Sequence, residues 1–227
     1  MFLLTNKKQA EIGKLIWLAN LQWFIVQFIV SLSWKESGYS WKNNMISDLG
    51  NTVISPLAGL MNFSFVLTGI LSFFGALLLR KFLFKNIQGI FVLILLTAGA
   101  IGIIMVGLDP ENLRIKLHLL GANIAGLTVL AIFWASIIFR KSKPLNILSK
   151  PSLYLAIFLL FVGIYYAHIK GEYSSVVNDS GVRYISSKAD FLGLGAGGME
   201  RLLTYPLILW QFYVASTVSP LIKNLKD

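Results

Sequence analysis

Apolar residues run along this chain in six long stretches separated by short polar ones, at about 12–34, 57–79, 87–107, 117–139, 151–168 and 200–222. Each is near the roughly 20 residues that cross a hydrocarbon core of about 30 Å as a helix. Stretches such as "LLRKFLFKNIQGIFVLILLTAGAIGIIMVG" are apolar on every face, without the alternation of a barrel strand. A helix satisfies each backbone group inside its own segment, which a lone strand in lipid cannot do. The pattern therefore predicts an all-α, polytopic transmembrane bundle of six helices. Residues 1–227 read as a single membrane domain, with no linker and no internal repeat. The first stretch follows Lys7, Lys8 and Lys14 as a signal peptide would, but no small-residue cleavage site comes after it, so it is expected to stay as a span.

Composition agrees and narrows the class. Mean hydropathy is +0.71, and 13% of residues are charged, about half the share of a soluble domain. The absence of cysteine excludes disulfides, thiolate metal sites and cysteine nucleophiles. The net charge of +10 is informative only through its placement. Twelve Lys and Arg, opposed by Glu11 and Asp227 alone, flank one side of the predicted spans; on the other side eight basic residues meet eight acidic ones. That asymmetry predicts cytoplasmic termini and a multi-pass protein of the cell (plasma/cytoplasmic) membrane. Basic clusters next to spans touch anionic headgroups, so membrane lipids are the expected partners and nucleic acid is not.

The groups capable of chemistry gather on the other, outer side. The first outer loop, "KESGYSWKNNMISDLGNTVISP", re-enters the membrane with Ser55 as expected N-cap and Pro56 at the first helical position. The second, "LDPENLRIK", offers Asp109 and Pro110 in the same roles. The third, roughly Ile169 to Met199, holds "KADFLGLGAGGMER" and is long enough that part of it should fold onto the surface or into the interface. His118 and His168 lie at the outer ends of antiparallel spans, so a metal or haem site is one reading, with Asp48, Asp109 or Glu200 supplying oxygen. The plainer reading is two interfacial imidazoles bonded to backbone. Glu200 and Arg201 are consecutive, about 100° apart on a helix, so each needs its own partner. Asp48, Asp190 or a lipid phosphate would suit Arg201; a headgroup-level Arg beside a Glu at a helix N-terminus is the alternative. In "SDLGN", Gly50 is expected to close a short helix in a left-handed cap, with Ser47 and Asp48 bonding loop backbone. Gly121 with Ala125, Ala122 with Gly126, and Ala98 with Gly102 have small-xxx-small spacing, which predicts close packing of spans three and four and a surface for a membrane partner.

"YSWKNNMISDLG" after the first span, "HLLGA" opening the fourth and "GGMERLLTYPLILW" opening the last resemble an uncharacterised six-span membrane family catalogued as domain of unknown function 998. The resemblance covers nearly the whole chain and picks out Ser47, Asp48, Leu49, Gly50, His118, Glu200 and Arg201. It implies a fold and no settled activity. "GLDPE" stands where members commonly carry a phenylalanine-proline step. From the residues, the leading expectation is an outward-facing polar pocket that binds a lipid headgroup or small polar ligand through Ser47, Asp48, His118, Glu200 and Arg201. An enzymatic version would use Asp48 or Glu200 as acid or base with His118. A small transporter or membrane substrate-binding subunit is the alternative, although no charged residue falls at mid-span and no pair of interrupted helices is evident. An accessory subunit of a membrane complex is the third.

Overall fold

The computed structural model describes residues 5–34, 38–169, 176–177, 183–184 and 193–223, and these are dominated by six long helices. We number them α1 (Asn6–Leu32), α2 (Ala58–Leu83), α3 (Ile87–Leu108), α4 (Glu111–Lys141), α5 (Ser149–Ile169) and α6 (Gly195–Lys223). Each packs on its sequence neighbour, and α1 against α6 closes the ring. The protein is thus an all-helical membrane protein. α1 to α5 are long and apolar enough to cross a membrane. α6 has 29 residues, ample in length, but Thr204, Gln211, Ser216, Thr217 and Ser219 dilute its apolar character. Of the third loop, the described part is a two-residue antiparallel ladder, Val176↔Tyr184 and Val177↔Arg183.

Apolar side chains are on the outside here. Ile25, Phe28, Phe63, Ile94 and Phe161 are each more than half exposed, as expected where lipid tails are as apolar as leucine. The polar side chains instead turn inward, because hydrocarbon offers them no partner. Two buried apolar clusters result. One lies toward the chain termini, around Trp17, Leu79, Phe84, Phe139, Trp210 and Val218. The other lies beneath the loop of residues 38–55, around Trp23, Ile46, Leu49, Met61 and Phe65. We call the two ends of the bundle the terminal face and the crown. Lys14 donates to Ser219 at 3.3 Å, which places the first half of α1 and the last turns of α6 together on the terminal face.

Spans three and four do approach closely. A Cβ at Gly102 would collide with the backbone of Gly121 and Ala125, and one at Gly121 would meet the Gly102 carbonyl. Three local expectations differ from the structure. α2 begins at Ala58 after Leu57, because Ser55 is drawn into a turn, its N–H bonded to the Asn51 carbonyl. α4 begins at Glu111 after Pro110, while Asp109 terminates α3. Gly50 ends a 3-10 turn, Ser47–Gly50, but is absent from the positive-φ glycines. Its lack of a side chain matters for another reason: a Cβ there would strike the Asn62 amide, which donates to the Gly50 carbonyl at 2.8 Å.

Candidate functional site

The crown is built where three chain segments meet. The first is the loop from Gly38 to Ser55, folded back over α1 by its 3-10 turn. Asp48 is buried there and accepts from the Met45 N–H at 2.7 Å, so the carboxylate ties the incoming loop to the turn. The second is the start of α6. Glu200 accepts from the Ile46 N–H, and the Gly198 N–H donates to the Lys42 carbonyl at 3.1 Å. The glycine-rich run makes this approach possible. Gly195 sits at φ +61°, and a Cβ at Gly197 would overlap the Asn44 carbonyl. The third segment is the α3–α4 turn. Asn51 donates to Glu111 at 3.4 Å, and the Asn112 amide exchanges bonds with Thr52, giving to its hydroxyl at 2.8 Å and accepting from its N–H at 3.2 Å.

Arg201 is the centre of the loop–α6 contact. It is only 8% exposed. Nη1 donates to the carbonyls of Trp41 at 2.8 Å and Asn44 at 2.9 Å, and Nη2 donates to the Tyr39 hydroxyl. The guanidinium lies 4.7 Å from the Trp41 ring centroid and 5.4 Å from that of Tyr39. The Tyr39 hydroxyl in turn donates a hydrogen bond to the Met45 carbonyl at 2.7 Å. Burial pushes this phenol well above its ordinary pKa, against the opposing pull of Arg201. The bonds of Arg201 described here all go to uncharged oxygens. Its Nε is buried and has no hydrogen-bond partner among the described residues.

His118 belongs to the α3–α4 side of the crown. Its Nδ1 lies 3.0 Å from the Asp109 carbonyl, an acceptor, so Nδ1 carries the hydrogen. Arg114, in the kink that opens α4, pairs with Asp109 at 3.0 Å across an exposed edge. The described bonds thus gather Asp48, Glu200 and Arg201 around the loop and pair His118 with Asp109 on the α3–α4 side, where Glu111 takes Asn51. Residues Ser47–Asn51 join the two. In the bonds described, Glu200 takes the Ile46 N–H, and Arg201 takes the Trp41 and Asn44 carbonyls and the Tyr39 hydroxyl. The pairing of Arg201 with Asp190 and the metal reading with His168 involve side chains outside the described residues. Among the described residues, no three His, Asp or Glu groups are placed to hold a metal ion.

Two sets of residues escaped the sequence reading. Tyr39 and Trp41 form the aromatic collar on Arg201; the alternation in "YSW" was the available signal. The second set is inside the bundle. α1 is broken by a 3-10 turn at Ala19–Leu21, and Asn20 within it donates to Gln211 of α6 at 2.7 Å and Ser72 of α2 at 3.1 Å. Amides spaced seven apart, Asn20 and Gln27, were visible in an otherwise apolar run.

No curated protein and no solved structure matches the chain. A family model does, over residues 18–217, from the break in α1 to the last third of α6. With part or all of each of the six helices and all three crown segments inside that range, the chain belongs to the family described as "Protein of unknown function (DUF998)".

Proposed function

We propose that the protein binds an anionic group, a phosphate or carboxylate carried by a lipid headgroup or by a small free molecule, at Arg201 in an outward-facing crown. The observation that carries this reading is the buried guanidinium itself, with one N–H lacking a partner and its described bonds all to neutral oxygens. A buried donor without an acceptor costs about 1–3 kcal/mol, more when it is charged, and an anion at Nε would recover that cost. Asp48 and Glu200 then have a different role from Arg201. Their carboxylates hold loop N–H groups and fix the carbonyls that orient the fork. His118 steadies the neighbouring turn through the Asp109 carbonyl. Placing the crown outside follows from the basic excess on the terminal face.

Native mass spectrometry from mild detergent tests this with phosphatidylglycerol, phosphatidylcholine and inorganic phosphate offered separately. Retention of phosphatidylglycerol alone identifies an anionic lipid, and retention of phosphate identifies the free anion. Either should be lost in Arg201→Gln and kept in Lys116→Gln. A bare mass with all three probes, or equal retention by both variants, would overturn the reading.

The break in α1 supports a second reading, a small transporter. Interrupted helices with polar groups at mid-membrane often line transport sites. Uptake of the retained ligand by sealed proteoliposomes would establish it. Binding without flux would reject it.

A further inference from the structure

Buried side-chain nitrogens and oxygens without a partner are few among the described residues, and their distribution is not random. Among the described residues they are Asn20 Oδ1, Trp23 Nε1, Gln27 Nε2, Trp34 Nε1, Ser55 Oγ and Arg201 Nε. Four of the six fall on α1 and the two residues after it, at positions 20, 23, 27 and 34. Those steps of three, four and seven place them on one face of a helix. The face is the one that meets α2 and α6. Asn20 donates to Ser72 and Gln211, the Tyr205 hydroxyl donates to Gln27 Oε1 at 3.0 Å, and the Trp23 ring stands edge-on to Phe65 and Tyr205. Asn20 and Gln27 are 1% and 0% exposed. Exchanging N and O in either amide only changes which atom is left over.

The lower end of this line lies at mid-membrane. Asn20, Ser72 and Gln211 each sit within two residues of the midpoints of α1, α2 and α6. Below them the seam is closed by apolar contacts: the Trp17 and Trp210 rings are 5.9 Å apart, over Ala76, Val214 and Val218. These two indoles are satisfied, Trp17 on the Ser72 carbonyl at 3.2 Å and Trp210 on the Ser152 hydroxyl at 2.9 Å. The upper end is Trp34, whose ring lies 5.1 Å from that of Tyr39 beneath the crown.

We infer that the α1–α2–α6 seam is a hydrated half-channel, in which water bound at Gln27, Trp23 and Asn20 links the crown to the middle of the bilayer and stops at the dry tryptophan layer. Water is the ligand that fits, because the line presents donors at Trp23, Gln27 and Trp34 and an acceptor at Asn20, and a water molecule serves both. The half-channel gives a polar solute or proton access from one side only. It stands on atoms below Arg201, so it does not depend on an anion at the crown.

Radiolytic hydroxyl-radical labelling of the protein in nanodiscs tests it, since radicals formed from bound water mark the side chains beside them. Trp17, Trp23 and Trp210 are equally inaccessible, at 1%, 1% and 2% exposure, and act as mutual controls. Trp23 should be oxidised several-fold faster than Trp17 and Trp210, and Gln27→Leu should bring it down to their rate. Equal rates for the three indoles in the wild type would overturn the inference, whether or not the variant folds. An unchanged Trp23 rate in a folded Gln27→Leu would overturn the role of Gln27.

Discussion

Arg201 acts through the shape of its side chain as well as its charge. Two carbonyls and a phenol converge on its two Nη groups, and a planar fork can meet all three while two rings cover its face. A lysine would bring one point charge to a place laid out for a planar fork that meets three acceptors at once. Arg201→Ala should lower stability by about 3 kcal/mol, because it leaves buried carbonyls without donors. Arg201→Lys should recover less than half of that; full recovery in detergent melting curves would mean that charge alone suffices. The Tyr39 phenol gives a pH prediction. Its folded pKa lies above the unfolded value of about 10, so its contribution is complete below pH 10 and is lost as pH rises further. Wild-type stability should therefore be insensitive to this group between pH 6 and 9 and fall in the alkaline range, with Tyr39→Phe falling less steeply. At this scale the sequence was only partly readable. Asp48, Glu200 and Arg201 were identifiable as polar residues beside spans, but apart from the Tyr39 hydroxyl the partners described above are backbone atoms of residues 41–46, which no side-chain pattern encodes.

Glycine placement decides how closely the elements approach. Gly102 packs against Gly121 and Ala125, so Gly102→Val should separate α3 from α4 at a cost of about 1–3 kcal/mol in thermal unfolding. Gly163→Ala is the control. A Cβ at Gly163 meets nothing within 4 Å, and the substitution should be neutral or stabilising by up to about 1 kcal/mol. If both substitutions had the same effect, the α3–α4 contact would not be the tight one described. The small-residue spacing that revealed this contact was plain in the sequence because a periodic stripe survives any loop conformation. Helix starts were less plain. Ser55–Pro56 and Asp109–Pro110 have the right residues for an N-cap followed by proline, yet α2 begins at Ala58, beyond Leu57, and α4 at Glu111, with Pro110 itself in the cap position. Local bonds engage those residues instead: the Ser55 N–H donates to the Asn51 carbonyl, and the Asp109 carboxylate accepts from Arg114.

For the molecule as a whole, six apolar stretches made the helical bundle legible, because hydrocarbon imposes its length on every span. The convergence of three loops was not legible, since it depends on how the ring closes between α1 and α6. Nor was the polar seam, whose residues read singly as minor interruptions of apolar runs. The cysteine-free chain allows the topology to be measured directly. Single cysteines at Thr52 and at Lys143 should react with an impermeant maleimide from opposite sides of the membrane, Thr52 from outside. Labelling of both from one side would contradict the six-crossing bundle, and labelling of Thr52 from within would invert the crown.

The most direct test of the anion site is the Arg201 Nε–H resonance in protein labelled with ¹⁵N-arginine, assigned by its loss in Arg201→Lys. On titration with phosphatidylglycerol or phosphate this one signal should move and saturate while those of exposed arginines stay in place. A resonance that remains fixed, or that moves only in step with the exposed arginines, would contradict an anion bound in the crown.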